Sequence, residues 1–379
     1  MYKNIYIHIG LPKTGTTYLQ NCLAQLSFEE RLNDTDYPVM GEYVGDNYRI
    51  SNGNAAELSK LLIEHVNPKF DRDKLKQYVS DFFKNKSIKS SLLISSENFS
   101  SAEPDRFNYF VELIKSFTER IFLIIVARDV DGYAYSSYNQ LIKRHALAIT
   151  YEDYCENYFI SQFSELVARI NSFQIEKICI QYSYESLLKD FLHVINESID
   201  SYLGFDFKAN RSLTENELRL LVKINEIFKS KEISTSISDC WIRLYPEEYT
   251  EIRYLNNELL KKLVNNFKNN NSELAEFIFN IKLQDKKENN TSANLCARKY
   301  EELSLLAFNV INEFFDGKNI HSYTVHLEKS KDRFDPIHYL LLNPDVLKEN
   351  VDPVEHYFIH GRSENRFTSF SFVNVLIPK

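Results

Sequence analysis

No stretch of this chain approaches the roughly 18 consecutive apolar residues that a membrane-spanning helix requires. Its opening, Met1-Tyr2-Lys3-Asn4, leads at once into a strand-like run and lacks the charged-then-apolar pattern of a secretory leader. A cytoplasmic protein is expected, in which the sequons at Asn289 and Asn290 carry no weight. Cysteine is scarce, and the five residues Cys22, Cys155, Cys179, Cys240 and Cys296 form no C-x-x-C pair. That count is odd, so neither a disulfide framework nor a zinc site is expected; reduced, buried thiols are. Positive charge is also short. The formal net charge of −8 argues against a nucleic-acid binder, which carries a basic face. An anionic small ligand stays compatible, because a nest of amides with a few cations holds phosphate even in an acidic protein. No internal repeat of useful length is present.

What is there is material for a core. Hydrophobic residues make up 44% of the 379, and aromatics 14%, with 24 Tyr and 27 Phe. Four short apolar runs read as buried strands of a parallel sheet: 4–9 (NIYIHI), 91–95 (SLLIS), 121–127 (IFLIIVA) and 177–181 (KICIQ). Helical patterns fall between and after them, at 16–26, 73–83, 106–117, 130–144 and 151–173. Strands alternating with helices predict an α/β fold: a P-loop-type open parallel sheet flanked by helices. From Thr214 to about Phe315 the pattern is mostly helical, opened by a capping box, Thr214-Glu-Asn-Glu217. Linker composition marks 284–291, and a break falls near 329–332. The expected organisation is an α/β domain over 1–315, with a helical extension from about 214, and a small C-terminal helical module over 330–379.

The sharpest local signal is the run Gly10-Leu11-Pro12-Lys13-Thr14-Gly15-Thr16-Thr17, between the first strand and a helix. Such a loop aims backbone N–H groups at one spot, and the helix N-terminus adds partial positive charge. Gly10 and Gly15 let the backbone approach an anion closely, Lys13 brings a full charge, and Thr16 and Thr17 bring hydroxyls. The glycine spacing matches a Walker A loop, but Thr16 stands where that loop has lysine, and Lys13 lies two residues before the second glycine. Beyond the third strand come Arg128, a planar fork suited to phosphate oxygens, and Ser136, eight residues on. Both fall near the carboxyl edge of the predicted sheet, where open α/β folds bind ligands.

The loop resembles the 5′-phosphosulfate loop of the PAPS-dependent sulfotransferases (PAPS is 3′-phosphoadenosine 5′-phosphosulfate), close to P-K-[TS]-G-[TS]-[TS]. Arg128 and Ser136 resemble that family's 3′-phosphate motif, and Asn210-Arg211-Ser212 resembles a late loop that closes over the nucleotide. The resemblance covers residues 1 to about 225. It implies that Gly10, Pro12, Lys13, Thr14, Gly15, Thr16 and Thr17 hold the 5′-phosphosulfate, that Arg128, Ser136 and Arg211 complete the donor site, and that PAP is the product. No metal is expected. Lys13 would stabilise the leaving oxygen. The candidate base is Glu97, at the end of the second predicted strand; His8, inside the first strand, is the rival. The cluster Lys143-Arg144-His145 is a candidate contact for an acidic acceptor. Tyr182 and Tyr184 are candidates for the pocket lining, as are Asn139 and Gln140 for the acceptor side.

Residues 334–366 read F-D-P-x-x-Y-x-x-x-N-P-D-V and then D-P-x-x-H-Y-x-x-x-G-x-x-E-x-R. This is similar to a module at the ends of bacterial polysaccharide-synthesis enzymes. It implies a glycan or lipid-linked saccharide acceptor and a place beside a polysaccharide assembly complex. Tyr339, Tyr357 and Phe358 are expected to pack its two helices, and His338, His356 and His360 to serve packing rather than metal. Two other readings remain open from the residues alone: a P-loop kinase, with Asp129 as its metal-side carboxylate, and a non-catalytic scaffold of polysaccharide assembly.

Overall fold

In a computed structural model of the protein, the described residues are 1–38, 53–83, 88–183, 185–197, 211–245, 255–268, 273–281, 303, 307, 311, 323–328, 334, 339, 343, 345–346, 351 and 353–374. Among them the elements run β1 (Tyr2–Gly10), α1 (Thr16–Phe28), β2 (Thr35–Asp36), α2 (Ala56–Lys60), α3 (Arg72–Phe82), β3 (Ser91–Ser95), α4 (Pro104–Ile114), β4 (Thr118–Ala127), α5 (Val130–His145), α6 (Tyr151–Tyr154), α7 (Ile160–Asn171), β5 (Glu176–Gln181) and α8 (Leu187–Val194). After these come α9 (Glu215–Phe228), α10 (Lys231–Leu244), α11 (Asn257–Lys268), α12 (Glu273–Asn280), β6 (Tyr323–Glu328), α13 (Pro353–His356) and β7 (Ser369–Asn374).

The fold is α/β. Five parallel strands in the order β2-β3-β1-β4-β5 form one sheet. The four apolar runs are β1, β3, β4 and β5; the near-continuous hydrophobicity of β1, β3 and the end of β4 has its physical reason in burial on both faces, while β5 lies at the sheet edge with only Ile180 buried. Alternation sends Tyr6, Leu93, Ile124, Val126 and Ile180 to one side, where they meet Leu19, Leu23 and Leu26 of α1 and Leu188, Phe191 and Leu192 of α8. Each such side chain stabilises the fold by about 1.5–3 kcal/mol on burial. Phe99, Phe107, Phe110 and Phe173 stack into a second aromatic cluster, with the Phe107 and Phe173 centroids 4.0 Å apart.

Strand β2 was not anticipated. At two residues it is too short to show any alternation, and it is held from a distance. The buried Glu197 carboxylate accepts the backbone N–H of Asn33 at 2.8 Å, Asp34 at 3.0 Å and Thr35 at 2.6 Å.

The chain divides into two compact units. One comprises Met1–Ala134, Cys155–Ala209 and Tyr254–Gln284; the other comprises Tyr135–Tyr154, Asn210–Arg253 and Asp285–Lys379. This differs from the expected split into 1–315 and 330–379. The helical extension is itself divided: α11 and α12 go with the sheet, while α9 and α10 join the end of α5. Polar anchors explain that choice. Asn225 of α9 and Ser234 of α10 both donate to the Ile142 carbonyl, at 3.0 and 2.7 Å, and the buried Asn139 accepts Leu213 N at 2.7 Å. The expected capping box at Thr214 and Glu217 is present.

The C-terminal part is not wholly helical. Strands β6 and β7 pair as an antiparallel ribbon, and the alternation of 369–373 (SFSFV) was the available strand signal. Tyr339 and Tyr357 pack as expected, with Phe334 stacked 4.6 Å from Tyr357. Phe358 meets the Tyr357 ring edge-on at 5.5 Å from the exposed side, with the Arg362 guanidinium over its own ring. The buried His356 bonds the Tyr339 hydroxyl through Nδ1 at 2.9 Å, a packing role. His338 and the positions 284–291 and 329–332 lie outside the described residues.

Candidate functional site

The connection leaving β1 runs to β2 on one side of it, whereas the connection leaving its neighbour β3 crosses to β4 on the other side. The loop after β1 therefore sits at a topological switch point, where open α/β sheets form a crevice. That loop is tightly built. A Cβ on Gly10 would stand 1.6 Å from Thr16 Cγ2, so glycine is required there for the chain to fold back on itself. Gly15 is left-handed, with φ 73°, and forms the N-cap of α1 without any side-chain cap. The first turn of α1 contains no acidic residue, so its N-terminal partial charge is not offset there. Lys13 is also left-handed, at φ 69°, which costs a non-glycine residue on the order of 1–2 kcal/mol. Strain of this kind clusters at ligand-binding loops.

The threonines divide by role. Thr14 is buried and donates its hydroxyl to the Leu11 carbonyl at 2.6 Å, so it braces the loop. Thr16 is buried with its methyl packed on Gly10. Thr17 is exposed, and Pro12 is half-buried.

Arg128 leaves the end of β4 and reaches this loop. Its Nη1 donates to the Lys13 carbonyl at 3.1 Å, and its guanidinium lies 5.2 Å from the Tyr182 ring centroid. Its Nε is buried without a partner, an expensive arrangement for a cation. Gly132 makes room for it: a Cβ there would lie 2.6 Å from Nη2 and 2.9 Å from Nε. The Tyr182 ring also closes over Gly15, where an added Cβ would be 3.0 Å from Cε2. Thus Arg128 converges on the loop backbone itself, whereas the expectation had it at a separate end of the ligand. Gly132 was missed in the sequence, although an isolated glycine inside a helical pattern is a recognisable signal of close approach.

Glu97 follows β3 and opens a short 3₁₀ turn, Glu97–Ser101. Burial pushes its carboxyl above the ordinary range, while the Lys13 charge pulls the other way. Glu97 and Lys13 therefore act on one another electrostatically. Before the turn, Ser96 donates its N–H to the His8 carbonyl at 3.2 Å and shares a 3.0 Å hydroxyl contact with Ser59.

Several expected residues are committed elsewhere. His8 is fully buried, bonded through Nδ1 to Ser95 Oγ at 2.9 Å and packed edge-on to Phe191. Desolvation lowers its pKa to about 3, so it is a neutral core group and not a base. Asp129 spends Oδ1 on Gly132 N at 2.5 Å, capping α5.

In the second unit, Arg211 is fully engaged. It makes a bidentate pair with Glu217 at 2.8 and 2.7 Å, and it donates to the carbonyls of Tyr245, Ser212 and Trp241. All five of its N–H groups have acceptors, so it is a structural cation rather than a ligand for phosphate. The buried Lys143 donates to the Arg211 carbonyl at 3.1 Å, and Arg144 pairs with Asp239 at 2.6 Å. Only His145 of that basic cluster is exposed. Asn139 is buried in its bond to Leu213, and Ser136 is half-buried, one helical turn beyond Gly132 on α5. Tyr184 and Asn210 lie outside the described residues.

Comparison with protein-family models, with curated proteins and with solved structures finds no match for this chain.

Proposed function

We propose that this chain is a sulfotransferase that moves a sulfuryl group from PAPS to a hydroxyl or amine acceptor. The observation that carries the proposal is the meeting of three groups at the loop after β1: the Arg128 guanidinium bonded to the Lys13 carbonyl, the strained Lys13 itself, and Glu97 within reach of the Lys13 charge. The loop order, lysine before the second glycine, favours a phosphosulfate over a nucleoside triphosphate.

The residues present suit such a donor. The uncapped first turn of α1 and the Lys13 ammonium would hold the 5′-phosphosulfate, and the partnerless Nε of Arg128 marks a donor looking for an oxyanion. When bound, PAPS supplies an activated sulfuryl group and a phosphate leaving group. The Glu97 carboxylate takes the acceptor proton as the acceptor oxygen or nitrogen bonds to sulfur in line with the departing oxygen. The S–O bond to the phosphate breaks, and the charge left on that oxygen is met by Lys13 and the α1 N–H groups. A raised Glu97 makes a stronger base once ionised, and Lys13 keeps it ionisable.

The acceptor belongs to the same proposal. The resemblance of 334–366 to modules of polysaccharide-synthesis enzymes supports a bacterial glycan or its lipid-linked precursor, and a position peripheral to the assembly complex. The packed Phe334–Tyr339–Tyr357 cluster supports a stabilising role for the module. Calorimetric titration with PAP and with ATP, followed by sulfate transfer from labelled PAPS to extracted glycans, tests the reading. PAP should bind, ATP with Mg²⁺ should bind far more weakly, and Arg128→Ala should cost PAP about 10-fold or more, as for a hydrogen bond to a charged group. Tight ATP binding with no PAP binding would refute it.

A further inference from the structure

Ser95 lies two residues before Glu97 and is completely buried. Its hydroxyl is the meeting point of two other fully buried polar side chains. His8 Nδ1 lies 2.9 Å away, and Gln20 donates Nε2–H from 3.1 Å. His8 is two residues before Gly10, at the start of the loop, and Gln20 sits in α1, just past the loop's end. Adjacent strands set the first contact, since His8 and Ser95 are register partners in β1 and β3.

The backbone of Ser95 is held as firmly from the other side. Its N–H goes to Asn54 Oδ1 at 2.7 Å, and its carbonyl accepts Ala55 N at 3.1 Å. A Cβ on Gly53 would come within 2.1 Å of that carbonyl. Burying this many polar groups is costly unless they are bonded to one another, and Gln20 Oε1 and His8 Nε2 are left without partners. What the arrangement supplies is a fixed relation among the two ends of the loop and the segment that carries Glu97.

We propose that Ser95 is a positioning residue, which sets the Glu97 carboxylate against the loop through its hydrogen bonds to His8 and Gln20. The kinetic side of this rests on the sulfuryl-transfer reading; the structural side does not. The test compares Ser95→Ala with Ser95→Thr, which keeps the hydroxyl, in three measurements: PAP binding by calorimetry, kcat with the glycan acceptor found by the transfer assay, and the ¹³C NMR titration of the Glu97 carboxyl.

Ser95→Ala should lower kcat at least about 10-fold while PAP affinity stays within about twofold, because small misplacements of a reacting group cost more in rate than in binding. It should also move the Glu97 midpoint, and Ser95→Thr should recover most of both. Unchanged kcat, an equal loss of kcat and PAP affinity, or an unmoved Glu97 midpoint would overturn the proposal. Should the alanine variant fail to fold, Gln20→Met drops one donor at similar shape and is read on the same three quantities. Absence of transfer in the wild type refutes the functional reading alone, and the Glu97 titration then decides the role of Ser95.

Discussion

Replacing His8 by Asn should make the protein's stability less sensitive to acid by a calculable amount. His8 is sealed between Ser95 and Phe191, and its pKa is lowered from the model-peptide value of 6.5 to about 3. The unfolded chain therefore binds a proton to this residue well before the folded one does. A depressed pKa of this kind contributes stability that is present above pH 6.5 and is lost as pH falls toward 3.

Each pH unit in that window costs about 1.4 kcal/mol. Between neutral pH and about pH 4.5 the wild type should lose roughly 3 kcal/mol through His8 alone. Asn keeps an acceptor or donor near the position of Nδ1 but does not titrate. Urea unfolding of both proteins at about pH 7.5 and about pH 4.5 isolates the effect, because the other titrating groups contribute equally to both and cancel. The variant's stability deficit at neutral pH should shrink, or reverse, by roughly 3 kcal/mol on acidification. A change below about 1 kcal/mol would mean that His8 protonates in the folded state, and would reopen its candidacy as a base.

Three further substitutions test named contacts. Glu97→Gln should cut turnover by about 10²–10⁴ while leaving PAP binding largely intact, as expected for loss of a general base. Because burial raises the Glu97 pKa, its protonated form favours the folded state below 4.5, and that contribution disappears as pH rises through the raised value; Glu97→Gln should flatten this component in pH-dependent melting. Gly15→Ala meets both a left-handed φ and two 3.0 Å contacts, with Leu187 and Tyr182, and should destabilise by about 1–2 kcal/mol in thermal or denaturant unfolding. Glu197→Gln puts an amide against three converging backbone N–H groups and should cost about 3 kcal/mol by the same measurement.

The parts of this protein legible in its sequence are those encoded by neighbouring residues. Strands β1, β3, β4 and β5 announced themselves because a buried parallel strand must be apolar at nearly every position. The loop from Gly10 to Thr17 was legible because a left-handed turn into a helix restricts which residues can stand there, and the Thr214 capping box because its two partners are three residues apart. Tertiary structure alone decided how the side chains were spent. Arg128 and Arg211 look equivalent in sequence, each an arginine near an element boundary. The fold leaves Arg128 with a partnerless Nε at the loop and gives Arg211 to Glu217 and three carbonyls. His8 and Glu97 were rival bases on spacing, and burial separated them by sealing one completely and leaving the other only partly buried. Desolvation and hydrogen-bond competition depend on every group that packs nearby, and the groups that decide His8 and Arg128 are remote in the chain: Ser95 lies 87 residues from His8, and Lys13 lies 115 from Arg128. No local window contains them.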